Sequence, residues 1–502
     1  MSPVAAGLPR LSGHPAQWRR EADVVVVGSG AAGISVALTA AARGLRVLVV
    51  TKDLVGGATP LAQGGLAAAL GPGDTPAAHV SDTLVAGAGL CEPAAVAALA
   101  EAAPAAIGWL TGLGARLETR DLRLEGGHSA RRIVHSGDDA TGAEVHRALL
   151  AALLASEAEI LDRTVALELL TGLDGDALSG RAGRPGEVTG GARAGTSTAV
   201  TGTGGPRTPV GGTAGAGTGT RARTGTRARA MGGAANAEPS GALAGEPVSA
   251  RPVTGLLAGA IGADGRLTPG IIAARAVVIA AGGLGQAFGT TSNPAGATGD
   301  GIALAVRAGA AVRDMEFVQF HPTVLWLPGA AGQCPLITEA LRGAGAVLRD
   351  LAGTPLMSGH DPRGDLAPRD VVAARMAEVI EAGDTGHVWL DATALGAGVL
   401  ENGFPTVTAA CRKHGIDPVT EMIPVAPGAH YSCGGILADL DGRTTVPGLY
   451  AAGEAASTGV QGATRLASTS VTEAVIAGRR TGAAIAAALS AAPPDAPCPV
   501  TS

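Results

Sequence analysis

Apolar positions along the chain alternate between short unbroken runs and longer stretches of helix-forming residues, and that alternation is the first structural signal. Val24-Val25-Val26-Val27 and Val47-Leu48-Val49-Val50 are runs of strand length, and between them Ala31 to Ala42 is rich in helix formers. A strand, a glycine turn, a helix and a second strand make up a parallel α/β unit. Ala276 to Ala280 predicts another strand, ending in Gly282-Gly283, and Leu449 to Leu489 a last strand and helix. From about Met315 to Tyr431 the pattern is mixed, and polar side chains concentrate there.

One segment carries no such pattern. From about Leu173 to Pro252 the chain is Gly/Thr/Ala/Arg-rich and includes Thr-Gly-Thr-Arg-Ala-Arg twice in tandem, from Thr218 and from Thr224. It has little with which to build a core, so a solvated, disordered loop is expected; its slight basicity makes RNA or an acidic partner the lesser reading. Apolar runs on either side, Val165 to Leu170 and Val253 to Leu257, predict a hairpin whose tip the insertion expands. Residues 1–19 and 490–502 are expected to be a disordered leader and tail.

Composition narrows the partners. At roughly 150 residues per domain, 502 residues argue for two or three globular units, and a 46% apolar share can bury their cores. Aromatic residues make up 2% and the net charge is -6, so neither stacking rings nor a basic field suits nucleic acid, and no such partner is expected. The five cysteines, at 91, 334, 411, 433 and 498, lack paired spacing. Neither a disulfide framework nor a metal site is predicted, and a reducing cytoplasm fits. No run of about 18 uninterrupted apolar residues is found, so no membrane association is expected.

Gly28-Ser29-Gly30-Ala31-Ala32-Gly33 is a G-x-G-x-x-G between a buried strand and a helix, the context that makes this pattern a dinucleotide site. The first glycine permits the turn, the second lets backbone approach a pyrophosphate, and the third lets helix and strand pack closely. The helix N-terminus then presents free N–H groups to phosphate. An acidic ribose ligand is missing after the second strand, where Thr51-Lys52 stands and Asp53 lies a little beyond, so ribose recognition stays open. Leu449 to Glu454 is a strand ending in Gly453 and an acid, which can accept hydrogen bonds from ribityl hydroxyls and so favours FAD over NAD. Ser470 with Glu473 predicts a capping box for a helix whose positive end would face reduced flavin.

Polar groups gather between these segments: Gln319 to Thr323, Thr338 to Gly343, Pro368-Arg369-Asp370, His430-Tyr431-Ser432 and Arg465. With Ala62-Gln63-Gly64-Gly65 and Thr298-Gly299-Asp300-Gly301, they give the chain a close resemblance to the succinate dehydrogenase and fumarate reductase flavoprotein family, which includes the L-aspartate oxidases. The resemblance runs from about residue 20 to 488 outside the insertion. It implies a mixed α/β architecture: a Rossmann-like, two-dinucleotide-binding-domain FAD domain split between 20–314 and 432–489, with an α+β capping domain over 315–431. Family members continue into a C-terminal helical domain where this chain ends.

The resemblance also assigns roles. Cofactor contacts are expected from Gly28, Ser29, Gly30, Ala31, Ala32, Gly33, Lys52, Ala58, Thr59, Gln63, Gly64, Gly65, Asp300, Glu454, Ser470 and Val471. Gln319, His321, Thr338, His430 and Arg465 are expected to bind a dicarboxylate, with Arg369 as the proton shuttle and Glu339 and Arg342 as its relay. Ala58 stands where the membrane-complex dehydrogenases carry the histidine that links flavin covalently, so the FAD is expected to be non-covalent. Glu125, followed by Arg131-Arg132, resembles the loop of the members that act on aspartate; a carboxylate there attracts an ammonium and repels succinate. The implied reaction is oxidation of L-aspartate to iminoaspartate, with oxygen or fumarate as oxidant and quinolinate synthase as pathway partner in NAD synthesis. The alternatives are a soluble fumarate reductase or succinate dehydrogenase-like flavoprotein, and more remotely a non-catalytic flavin-binding interaction protein. Thr469 departs from the asparagine that many relatives carry.

Overall fold

Val24 and Val26 pack into one hydrophobic core and Val25 and Val27 into another, which is why this strand reads as a continuous apolar run rather than an alternating one. The computed structural model describes residues 16–137, 139–172 and 251–491. The strand runs Trp18–Val27, so it begins inside the expected leader: Trp18 and Arg19 already pair with Gly270 and Ile271. It lies between Val47–Val50 and Leu267–Ile279, parallel to both, with Val24 opposite Val47 on one side and Ala276 on the other. Glu159–Leu161 adds a parallel edge, and Leu449–Ala451 pairs in parallel with the end of Leu267–Ile279. The late strand thus joins the early ones in one seven-stranded sheet. The beginning of Leu267–Ile279 pairs antiparallel with Val253–Ile261, which pairs antiparallel with Thr164–Thr171. These are the strands that flank the insertion; residues 173–250 lie outside the described residues, as do 1–15 and 492–502.

Helices Ala31–Ala41, Pro93–Gly112, Thr141–Leu154 and Ser470–Ala491 supply the core on one face of this sheet. Gly478 lets the last crowd the first, because an added Cβ would overlap the Ala32 carbonyl. That contact fixes the segment just before Ser470 beside the glycine turn. Pro93–Gly112 is long and apolar enough to cross a membrane, although its sequence is interrupted by Glu101. Its Ala95, Val96, Leu99, Ala103, Ala106 and Leu110 form one buried stripe at helical spacing, which accounts for the apolar content as core packing.

A second, six-stranded sheet is formed chiefly by Val318–Leu325, Val347–Arg349, Val388–Asp391 and Ile423–Ser432, paired antiparallel. Its core includes Leu325, Leu348, Met376, Leu390 and Val425. The two-residue strand Thr290–Thr291, upstream of the expected boundary at 315, also joins this sheet, with Thr291 opposite Ala429. The FAD-side chain therefore contributes a strand to the capping sheet, directly beside His430.

Candidate functional site

The first parallel strands end on a cavity of about 570 Å³ that extends to the capping sheet. Its phosphate end is made of backbone. Gly28 has φ +113°, and an added Cβ would overlap the Ala280 carbonyl; at Gly33 it would overlap the Gly28 carbonyl. These are the clashes that the three-glycine pattern avoids. Ala31 N donates to Thr59 Oγ1 at 3.0 Å, and Ser29 and Thr51 hydroxyls lie 2.7 Å apart. Lys52 pairs with Asp300 at 2.8 Å across the cavity mouth. All the expected cofactor residues line the cavity except Gly33, which lies behind the turn and serves packing.

Glu454 is buried against the cavity, and its Oε1 accepts from Ser432 N at 3.0 Å. Burial pushes its carboxyl up to about 7. Glu473 does not form the expected capping box. Its carboxylate accepts from Tyr431 Oη at 3.2 Å and from Gln461 and Thr458, because the helix buries that face against the capping side instead of leaving it free to turn back on its own first turn.

At the far end, six segments bring charged side chains together. Arg369 Nε donates to Glu339 Oε2 at 2.6 Å, and Glu339 Oε1 lies 3.5 Å from Arg342. Glu339 stands at the N-cap of the short helix Ala340–Gly343, so it and Arg342 share a face. Burial opposes ionisation of Glu339, but Arg369 and Arg342 outweigh it and hold the carboxyl below its ordinary range. Arg342 is fully buried and does not line the cavity; besides Glu339 it contacts the Asp365 carbonyl, to which it donates.

Gln319 is placed differently from the substrate clamp expected of it. Its Nε2 donates to Thr464 Oγ1 and to the Arg465 carbonyl, both at 2.6 Å, and its Oε1 accepts from Arg369 at 3.1 Å. With its amide used in this way it holds Arg369 from behind, outside the cavity lining.

His321, Thr338, His430 and Arg465 do line the cavity. His321 Nδ1 accepts from the Thr323 amide at 3.2 Å, so Nε2 carries the hydrogen, and that atom is buried without a partner. His430 Nδ1 lies 2.6 Å from Ser292 Oγ, and the two imidazole centroids are 5.0 Å apart. Burial first, and the nearby Arg369 second, hold both imidazoles well below their ordinary pKa. Arg465 sits over the Tyr431 ring at 4.9 Å with its Nε unpartnered, and burial lowers it to about 10. Unpartnered buried donors facing one space are costly without a ligand and suited to an anionic one.

Glu125 is buried in the same cavity and accepts from Ser468 Oγ at 2.6 Å. Burial, then the charge of Glu339, raises its pKa; the Ser468 hydrogen bond and Arg369 oppose that rise. Sequence reading missed Ser292 and Ser468, since an isolated serine carries no spacing signal.

The glycine cradle, the helix end and the apolar floor fit a dinucleotide, and the unpartnered Gln63 Oε1 in the loop beside Glu125 fits a group that brings its own donors. The class is therefore a FAD-binding oxidoreductase: the family model described as FAD binding domain matches residues 23–238 and 247–471. Within it, the chain belongs to the L-aspartate oxidase family. It is 44% identical over 486 residues to the L-aspartate oxidase of Streptomyces coelicolor, covering 95% of this chain and 71% of the relative. It is likewise 44% identical over 483 residues to that of Mycobacterium tuberculosis, covering 95% and 75%. Among solved structures, a chain of E. coli quinol fumarate reductase is similar with a TM-score of 0.74 and 27% identity, covering 94% of this chain and 71% of that one.

Proposed function

We infer that the chain oxidises L-aspartate to iminoaspartate with non-covalently bound FAD as the immediate electron acceptor. The observation that carries this reading is Glu125, a carboxyl group buried in the same cavity as His321, His430 and Arg465. A plain C4 diacid gives that carboxylate nothing to bind; an amino diacid does.

In this reading Arg465 and the histidines, with Thr338, hold the two carboxylates, and Glu125 receives the ammonium. Arg369 takes the substrate proton as it gives its own Nε hydrogen to Glu339, and the relay continues to Arg342 by the same kind of exchange. Gln319 fixes the Arg369 guanidinium for that exchange. Bound FAD supplies the two-electron acceptor for the substrate's hydride. Ala58, a methyl group at the cavity wall, offers no atom for a covalent link. Two electrons and two protons leave the substrate in all, and oxygen or fumarate collects them at the end of the cycle. Iminoaspartate hydrolyses readily, so prompt use by quinolinate synthase in NAD synthesis fits, and we place the chain in the cytoplasm. Free thiols at Cys91, Cys334, Cys411 and Cys433 are consistent with a reducing compartment.

Anaerobic titration of the FAD-loaded chain with L-aspartate tests the reading. The flavin absorbance should bleach with aspartate. Bleaching by succinate, with aspartate inert, would transfer the chain to the fumarate reductase and succinate dehydrogenase side of the family.

A further inference from the structure

We propose that Ser468 is a positioning residue for substrate discrimination, holding Glu125 in the one orientation that serves the amino group and tying it to the flavin loop, residues 62–65 of the cavity wall. This rests on the reading that Glu125 receives the substrate ammonium. Ser468 Oγ makes two hydrogen bonds, to Gly65 N at 2.9 Å and to Glu125 Oε2 at 2.6 Å. The Gly65 amide can only donate, so the serine oxygen accepts there and its one hydrogen goes to Glu125. Glu125 Oε2 is thereby occupied as an acceptor, which favours the ionised carboxylate and leaves Oε1, beside Gly64, for a cation.

The backbone is built around this hydroxyl. Ser468 has φ +57°, the left-handed region that side-chain-bearing residues seldom occupy. Its carbonyl accepts from Ala67 N at 2.8 Å, and the preceding carbonyl, of Ala467, lies 2.9 Å from His128 Nε2. His128 Nδ1 faces Arg132 Nη1 at 3.4 Å; a guanidinium can only donate, so Nε2 carries the imidazole hydrogen and donates to Ala467. Arg132 is fully buried between Asp74 and Asp82. The Glu125 loop and the Ser468 turn are therefore pinned to each other at two points, and the flavin loop is attached through Gly65. A diacid without an amino group has no use for this Glu125–Ser468 pair, which is why the pair bears on discrimination and not on dicarboxylate binding in general.

The test uses the full, FAD-loaded chain. In the wild type, Ser468→Ala, Ser468→Gly and Glu125→Gln, kcat/KM is measured for aspartate oxidation by oxygen and for fumarate reduction by a reduced viologen dye. A hydrogen bond to a charged acceptor is worth enough to move a ratio on the order of tenfold. Both Ser468 variants should lower the aspartate-to-fumarate ratio by about that factor, mainly through the KM for aspartate. The acid limb of the aspartate profile should also move to higher pH as Glu125 loses its donor. Glycine accepts the left-handed conformation freely, so an effect of backbone strain alone would separate the two variants. An unchanged ratio in both Ser468 variants, with Glu125→Gln shifted, overturns the Ser468 assignment and leaves the Glu125 reading standing. An unchanged ratio in Glu125→Gln overturns the reading beneath it.

Discussion

The two ends of the 570 Å³ cavity are built by opposite means. The phosphate end is made by three glycines and three small side chains over six consecutive residues, 28–33, set at the end of a parallel strand. The end proposed to take the substrate is made by long polar and charged side chains from six separate segments, carrying Glu125, His321, Glu339, Arg369, His430 and Arg465. A backbone site requires little of its neighbours beyond room. A side-chain site needs every charge paired or held, which is why Gln319, Ser292 and Ser468 stand behind it. Damage to the first end should therefore remove the cofactor, and damage to the second should leave the cofactor and remove turnover.

The largest effect is expected at the glycine end. Gly28→Val places a branched side chain at φ +113° and against the Ala280 carbonyl, where neither backbone can yield cheaply. The purified variant should carry no flavin by absorbance, and one that retains stoichiometric FAD would show that the turn is not the cradle. Arg369→Leu should keep its FAD and lose turnover on the order of a thousandfold, the range of a lost proton-transfer group. A normal rate of aspartate oxidation would dismiss Arg369 as the shuttle; loss of flavin would erase the contrast between the two ends.

The same contrast sets what the sequence discloses. Val24–Val27 and the glycines after it are contiguous, and their spacing alone predicts a strand, a turn and a phosphate-binding helix end. The pairing of Leu449–Ala451 with Val277–Ile279 is not local, so the split of the FAD sheet follows only from family resemblance. At the substrate end the resemblance names the ionisable groups but not their supports. Gln319 has the same residue type whether it faces a substrate or Arg369, and only the positions of Thr464 and the Arg465 carbonyl decide it. Glu473 has the spacing of a capping box, and burial against Tyr431 overrides that local preference. The start of the first strand at Trp18 was equally hidden, since Trp18 to Glu21 owe their strand conformation to pairing with Gly270 to Ala273.

A smaller effect separates the ends by acidity, because glycines do not titrate and the supports of the Glu125 loop do. His79 and His128 lie beside Arg132, which is held by Asp74 and Asp82. Burial, with the charge of Arg132, lowers both imidazoles from 6.5 to about 4. In the unfolded chain they take up protons near the ordinary value, so between about pH 6.5 and 4 the unfolded state binds more protons than the folded one. Stability is then fully present above 6.5 and declines as pH falls through that window. Thermal unfolding of the FAD-loaded chain across it should give a falling Tm, and His79→Leu, which removes one of the two protonations, should flatten the fall. Equal slopes in the variant and the wild type would mean that His79 is already solvated and protonated in the folded protein, and that the brace beneath Glu125 is looser than its buried ion pairs imply.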